Sequence, residues 1–404
     1  MSARKIRVLV VDDSAIVRKV LTEAIATEPD IEVIATAPDA YVARDKLLAL
    51  RPDVITLDIE MPRMDGLTFL RQLMFLNPIP TLVVSSQGQA SCAATFEALR
   101  CGAVDVIAKP ATHQALRDLR LTLAQKIRGA AAARPRPAID LPPDPAAQQK
   151  SSPLANTRIT ASRRIDAVIP SANQATAPLD EYSAHRTAAT LRASSIASDS
   201  GRSLIAIGAS TGGTVAIQEI LTRLPSDMPP ILITQHIPPG FTSAFADRLN
   251  RICAVEVREA VPGDFLRPGL ALLAPGDHHL VLRDGPQGQF VDLDRGPEVC
   301  YLRPSVDVMF LSIAESTAGP SSVAVLLTGM GADGARGMLA LKQTGAATIA
   351  QDEASSVVYG MPREAVRIGA ADTVAPLSGI PALLTRITRA PRPESEPALQ
   401  EIYP

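Results

Sequence analysis

Short apolar runs alternate with helically spaced segments along the first third of the chain. Ile6–Val11, Ile31–Thr36, Val54–Leu57, Leu82–Ser85 and Val104–Ile107 predict five strands, with helices between them such as Ile16–Thr27 and Tyr41–Leu50. Alternation of this kind predicts a parallel sheet covered by helices on both faces. A second alternation opens at Leu204–Ile207. Ile231–Thr234, Val323–Thr328, Thr348–Ala350 and Thr373–Val374 read as strands, Phe241–Arg251 and Met338–Thr344 as helices. Val255–Arg258, Leu270–Ala274, His279–Leu282 and Val291–Leu293 read as shorter strands, a hairpin-rich excursion from a mostly parallel sheet. The expected fold class is α/β, with two doubly wound domains.

Between the two alternations the periodicity fails. Arg134-Pro-Arg-Pro137, Leu141-Pro-Pro-Asp-Pro145 and Ser151-Ser-Pro153 lead into Ala-, Ser- and Thr-rich sequence too polar and proline-broken to build a core. The expected organisation is a first domain over residues 4–128, a flexible linker over 129–201, a second domain over 202–389 and a mobile tail over 390–404.

Charge narrows the partners. Forty Lys and Arg against 42 Asp and Glu give a net charge of −2, without a long basic run, so nucleic-acid binding is not expected. Nor is membrane insertion, because no apolar run approaches spanning length. The start is basic, but Asp12-Asp13 interrupts the apolar run Val8–Val11, which argues against an export signal. Cys92, Cys101, Cys253 and Cys300 lack metal-ligand spacing and read as reduced thiols, in keeping with a cytoplasmic protein.

In a doubly wound sheet, functional groups collect at the carboxyl ends of the strands. The ends of the first domain's strands carry Asp12-Asp13, Asp58, Ser85 and Lys109-Pro110. Three carboxylates converging there would repel unless a divalent cation sat among them, and oxygen ligands of this kind suit magnesium. A carboxylate beside magnesium and a lysine can accept a phosphoryl group. One such aspartate alone would be an ordinary solvated loop residue. Val10-Val-Asp-Asp-Ser14, Asp58-Ile-Glu-Met-Pro-Arg-Met-Asp-Gly66, Val84-Ser-Ser86 and Ala108-Lys-Pro110 together resemble the response-regulator receiver family, a flavodoxin-like fold. The resemblance implies phosphorylation of Asp58, with Ser85 and Lys109 as the phosphoryl switch. It also implies Mg²⁺ on Asp13, Asp58 and the backbone carbonyl of Glu60, Asp12 assisting through water.

The second domain is organised around Leu204-Ile-Ala-Ile-Gly-Ala-Ser-Thr-Gly-Gly213, a buried strand, a glycine turn and a helix start. Helix-start N–H groups stabilise negative charge, so Ser210 could be a nucleophile beside an oxyanion site, or the turn could cradle a phosphate. Against the dinucleotide fingerprint, Ser210 replaces its second glycine and the next strand ends in His236 rather than an acid. Ser210, His236 and Asp333 follow three strands whose ends a doubly wound sheet would make neighbours. His278 and His279 are the rival pair. Adjacent residues on a strand point to opposite faces, so they chelate poorly and read as structural.

Gly208-Ala-Ser-Thr-Gly-Gly213, Gln235-His-Ile-Pro238, Ala274-Pro-Gly-Asp277, Arg303-Pro-Ser-Val-Asp307, Gly329-Met-Gly-Ala-Asp-Gly334, Gln351-Asp-Glu353 and Gly360-Met-Pro-Arg-Glu364 together resemble the chemotaxis receptor methylesterases, the CheB family. The resemblance implies a Rossmann-like catalytic domain that demethylates glutamate methyl esters and deamidates glutamines on chemoreceptors. It carries over a Ser210–His236–Asp333 triad, with Thr211 and Met330 lining the site and no cofactor in the esterase domain. It further implies that the unphosphorylated receiver lies against the esterase. Two other outputs compete: a DNA-binding domain, which would be small and basic, and a nucleotide-dependent enzyme built on the glycine turn.

Overall fold

The structure is a computed structural model and describes residues 4–86, 88–109, 113–133, 202–299 and 301–390. Most of the expected linker, the tail beyond Ala390, Pro110 and Cys300 lie outside the described residues.

The first sheet contains β1 (Ile6–Val11), β2 (Ile31–Ala37), β3 (Val54–Asp58), β4 (Thr81–Ser85) and β5 (Asp105–Ala108) in the order β2-β1-β3-β4-β5. Every pairing is parallel. Between the strands run α1 (Ala15–Ile25), α2 (Ala40–Leu50), α3 (Gly66–Leu76) and α4 (Gln89–Arg100), and α5 (His113–Ala132) follows β5. Short polar side chains start the first three helices: Ser14, Asp39 and Asp65 each accept a backbone N–H from the first turn. The strand order reverses between β1 and β3, which sets Asp12-Asp13 beside Asp58. The last helix runs on to Ala132, past the expected boundary at 128, because Ala124, Ile127 and Ala130 continue its buried face.

The second domain's main sheet uses β6 (Leu204–Ala209), β7 (Ile231–Gln235), β8 (Glu256–Glu259), β10 (Leu270–Leu273), β13 (Ser322–Leu326), β14 (Ala347–Gln351) and β15 (Thr373–Ala375). Their order is β15-β14-β13-β6-β7-β10-β8, all parallel. A small antiparallel sheet holds β9 (Asp264–Phe265), β11 (His279–Gly285) and β12 (Gly288–Asp294). The excursion expected over 255–293 is therefore divided. β8 and β10 belong to the main sheet, and β10 is buried on both faces, as an interior parallel strand must be.

The helices are α6 (Gly213–Leu221), α7 (Thr242–Ile252), α8 (Val306–Ala314), α9 (Ala335–Thr344), α10 (Met361–Arg367) and α11 (Ile380–Arg389). α8, which the apolar pattern did not single out, has no continuous polar face and buries Val306, Met309, Phe310 and Ile313.

Apolar packing continues from the first domain into the second. The Phe96 ring of α4 stacks on Phe245 of α7, centroids 5.3 Å apart. Val357 and Val358 pack with the cluster that contains Leu123 and Ile127 of α5. Among the described residues, no helix is long and apolar enough to cross a membrane.

Candidate active site and phosphoryl-acceptor site

Three adjacent strand ends, those of β13, β6 and β7, build the candidate active site. Ser210 follows β6, and its N–H donates to Thr328 O at 3.0 Å. Its carbonyl accepts Gly213 N–H at 2.7 Å and Gln235 Nε2 at 2.8 Å. The turn needs Gly212, which has φ 79° and whose added Cβ would meet the Val357 side chain at 2.6 Å. It also needs Gly329, since a Cβ there would lie 2.6 Å from Ser210 Cβ. His236 follows β7, its N–H donating to Ala209 O at 3.1 Å.

His236 Nε2 lies 2.8 Å from Asp333 Oδ2. Asp333 is buried and has further donors in Ser305 Oγ at 2.7 Å, Val306 N–H at 2.7 Å and Asp307 N–H at 3.1 Å. Burial alone would raise this carboxyl. The His236, Ser305 and backbone donors outweigh it and hold Asp333 below the ordinary carboxylate range. The ring therefore turns Nε2 toward the acid, and Nδ1 is buried without a hydrogen-bond partner. Ser210, His236 and Asp333 line one cleft of about 780 Å³, together with Thr211 and Met330.

The rival histidines lie elsewhere in the hydrogen-bond network. His278 Nε2 accepts from Arg295 Nε at 2.7 Å. His279 Nδ1 accepts Ser305 N–H at 3.1 Å, and its Nε2 lies 3.1 Å from Pro297 O. Both rings are thus committed to local structure.

The first domain also reaches the cleft, through Thr122, Gln125 and Lys126 of α5. Asp105 of β5 accepts from Thr211 Oγ1 at 2.7 Å, and its other oxygen lies 2.7 Å from Lys126 Nζ. By its place in the run Val104–Ile107, Asp105 is only a strand residue. Its signal was an acid inside an otherwise apolar run. Ser305 had a clearer one, a serine directly before an apolar segment, which marks a helix start.

At the other strand ends, Asp12, Asp13 and Asp58 bring carboxylate oxygens within 4.8 Å of one another. Lys109 Nζ lies 2.8 Å from Asp58 Oδ2 and 3.2 Å from Asp12 Oδ2, yet neither oxygen accepts a well-formed hydrogen bond. Burial pushes both carboxyls up, and Lys109 pulls them down. Two buried carboxylate oxygens that meet Lys109 without a well-formed hydrogen bond, beside a third acid, form a donor set that fits a hard divalent cation. Ser85 is buried at the end of β4, while Glu60 donates its N–H to Asp58 Oδ1 at 3.1 Å.

Family models match both halves: the response regulator receiver domain over residues 8–120 and CheB methylesterase over 205–384. The chain is 48% identical over 391 residues to protein-glutamate methylesterase/protein-glutamine glutaminase 5 of Anaeromyxobacter dehalogenans (strain 2CP-C), covering 96% of this chain and 98% of that one. It is 46% identical over 376 residues to protein-glutamate methylesterase/protein-glutamine glutaminase 2 of Syntrophus aciditrophicus (strain SB), covering 93% and 97%. The crystal structure of the Thermotoga maritima CheB methylesterase catalytic domain matches at 39% identity and TM-score 0.44, covering 46% of this chain and 97% of that one. The fold, the two family models and the relatives together define a response regulator whose output is a methylesterase domain of α/β class. The DNA-binding and nucleotide-dependent outputs gain no support from them. The chain belongs to the protein-glutamate methylesterase/protein-glutamine glutaminase family, CheB.

Proposed function

We propose that this chain removes methyl groups from glutamate methyl esters of chemoreceptors, and ammonia from their glutamines, with Ser210 as nucleophile. The observation that carries the assignment is the His236–Asp333 pair, which leaves Nδ1 buried and unpartnered in the cleft that Ser210 lines. In this reading His236 Nδ1 takes the Ser210 proton as Oγ attacks the ester carbonyl carbon. Asp333 fixes the ring and stabilises its charged form. N–H groups of Thr211 and Met330 hold the oxyanion, each such donor typically lowering the barrier by about 3 kcal/mol. Imidazolium returns the proton to the leaving methanol, and water then cleaves the glutamyl-serine ester by the same route. A glutamine amide loses ammonia instead.

In the receiver, Asp58 is the proposed phosphoryl acceptor, supplied by a chemotaxis histidine kinase, with Ser85 and Lys109 contacting the phosphoryl group. Asp13, Asp58 and the Glu60 carbonyl would hold Mg²⁺, with Asp12 assisting through water. The ion supplies charge neutralisation during phosphoryl transfer. The proposed place of action is the cytoplasm.

Regulation has a physical handle in the Asp105–Thr211 hydrogen bond, which ties the receiver to the residue next to Ser210. Asp105→Ala removes that tie and leaves Lys126 without its acidic partner. Unphosphorylated Asp105→Ala is expected to turn over about tenfold faster than the parent, the effect of shifting docking by ~1.4 kcal/mol. Asp58→Asn should keep basal turnover and lose activation by phosphodonor with Mg²⁺. Methanol released from methylated chemoreceptors by the full chain and both variants is the measurement. Absence of methanol from the phosphorylated parent would overturn the activity. An Asp105→Ala chain no faster than the parent would overturn the inhibitory role of the contact.

A further inference from the structure

Asp333 orients His236 in the reading above, and the structure also contains the groups that orient Asp333. Its two oxygens take four donors. Oδ1 accepts Ser305 Oγ and Asp307 N–H, and Oδ2 accepts Val306 N–H and lies against His236 Nε2. The two backbone donors belong to the first turn of α8 and are fixed by the helix. Ser305 Oγ is the one side-chain hydroxyl in the set, and it sits on the oxygen that does not face the histidine.

We propose that Ser305 is a positioning residue for catalysis: its hydroxyl clamps Asp333 Oδ1 so that Oδ2 stays aimed at His236. The inference rests on the triad reading and extends it by one residue. Ser305 is fully buried and does not line the cleft, so it meets no substrate. It is itself held from two sides. Its N–H donates to His279 Nδ1, whose other nitrogen is engaged by Pro297 O, and its Oγ accepts Val308 N–H at 3.4 Å as the cap of α8.

The surroundings make the clamp necessary. Asp307, a second buried acid, has Oδ1 on Gly337 N–H at 2.7 Å and Oδ2 3.7 Å from the exposed Arg336 Nε. It repels Asp333 more than a solvated neighbour would, because both carboxyls are buried. Among the described residues, His236 is the one group able to carry positive charge that lies at hydrogen-bond distance from Asp333, while His279 reaches it only through Ser305. An Asp333 carboxylate that lost Ser305 Oγ would keep only the longer Asp307 N–H bond on Oδ1 and would be free to rotate toward the backbone N–H groups and away from the imidazole.

Three substitutions separate clamp from cap. Ser305→Gly removes the hydroxyl at little capping cost, Ser305→Ala removes both functions, and Ser305→Thr keeps both. Methanol release from methylated chemoreceptors by the full chain is measured across substrate concentration. For Gly and Ala alike, kcat per folded protein is expected to fall about ten- to a hundredfold with KM unchanged, the range for losing a hydrogen bond to a charged group. Thr should restore it. Adding Ser305→Gly to an Asp333→Ala chain should cost nothing further, since both act through one carboxylate.

A Ser305→Gly chain with parental kcat, beside an inactive Asp333→Ala chain, overturns the clamp and leaves the triad standing. So does a loss in the Ala variant that is absent in the Gly variant, or a loss that adds to that of Asp333→Ala. Parental activity in Asp333→Ala overturns the triad reading itself.

Discussion

Ser210→Ala is expected to fold as the parent does and to release methanol about 10⁴-fold more slowly or worse, the usual consequence of deleting a triad nucleophile. The turn that carries residue 210 is set by main-chain bonds to Thr328 O, Gly213 N–H and the Gln235 side chain, all of which alanine preserves. What disappears is the hydroxyl that forms the glutamyl ester, so neither methyl ester nor amide can enter the covalent route. Both products, methanol and ammonia, should therefore fall together. A folded variant that kept more than about a tenth of parental kcat would mean that another group attacks the carbonyl.

His236→Gln is expected to be nearly as damaging, about 10⁴-fold or more in kcat, whereas His278→Gln should stay within about threefold of the parent. Glutamine can still donate to Asp333 Oδ2, which should spare the fold, but it cannot take up a proton. The partners of the two imidazoles differ accordingly. His236 sits between a buried carboxylate and the cleft with one nitrogen unpartnered, while His278 uses Nε2 on Arg295 at the edge of the small sheet. Methanol release by the two variants, with thermal unfolding as a folding control, makes the comparison. Equal losses at unchanged stability would place the base at a different residue.

Much of this arrangement was legible because polar residues that end buried strands have few innocent explanations. Asp12, Asp13, Asp58, Ser210 and His236 each interrupt an apolar run just where a parallel sheet delivers its side chains. Pairing across long stretches of chain was not legible. β10 is a uniformly apolar run, which periodicity cannot distinguish as hairpin or parallel strand, and its partners β7 and β8 are fixed only by the folded sheet. α8 escaped because a mostly apolar segment, broken only by Asp307 and Ser312, lacks the polar stripe by which a surface helix is recognised. Asp105 and Ser305 illustrate a different limit. Their chemistry lies in partners more than 25 positions away, Thr211 and Asp333, and single-residue types do not announce such pairings.

The ring stack between Phe96 and Phe245 gives the docked arrangement a thermal character. Both rings are almost fully shielded from water, so separating receiver from esterase wets aromatic surface and raises the heat capacity. Apolar association of this sort weakens on cooling. The fraction of undocked, unphosphorylated enzyme should then grow in the cold, and a sensory system built on it would adapt from a baseline that drifts with the temperature of its surroundings.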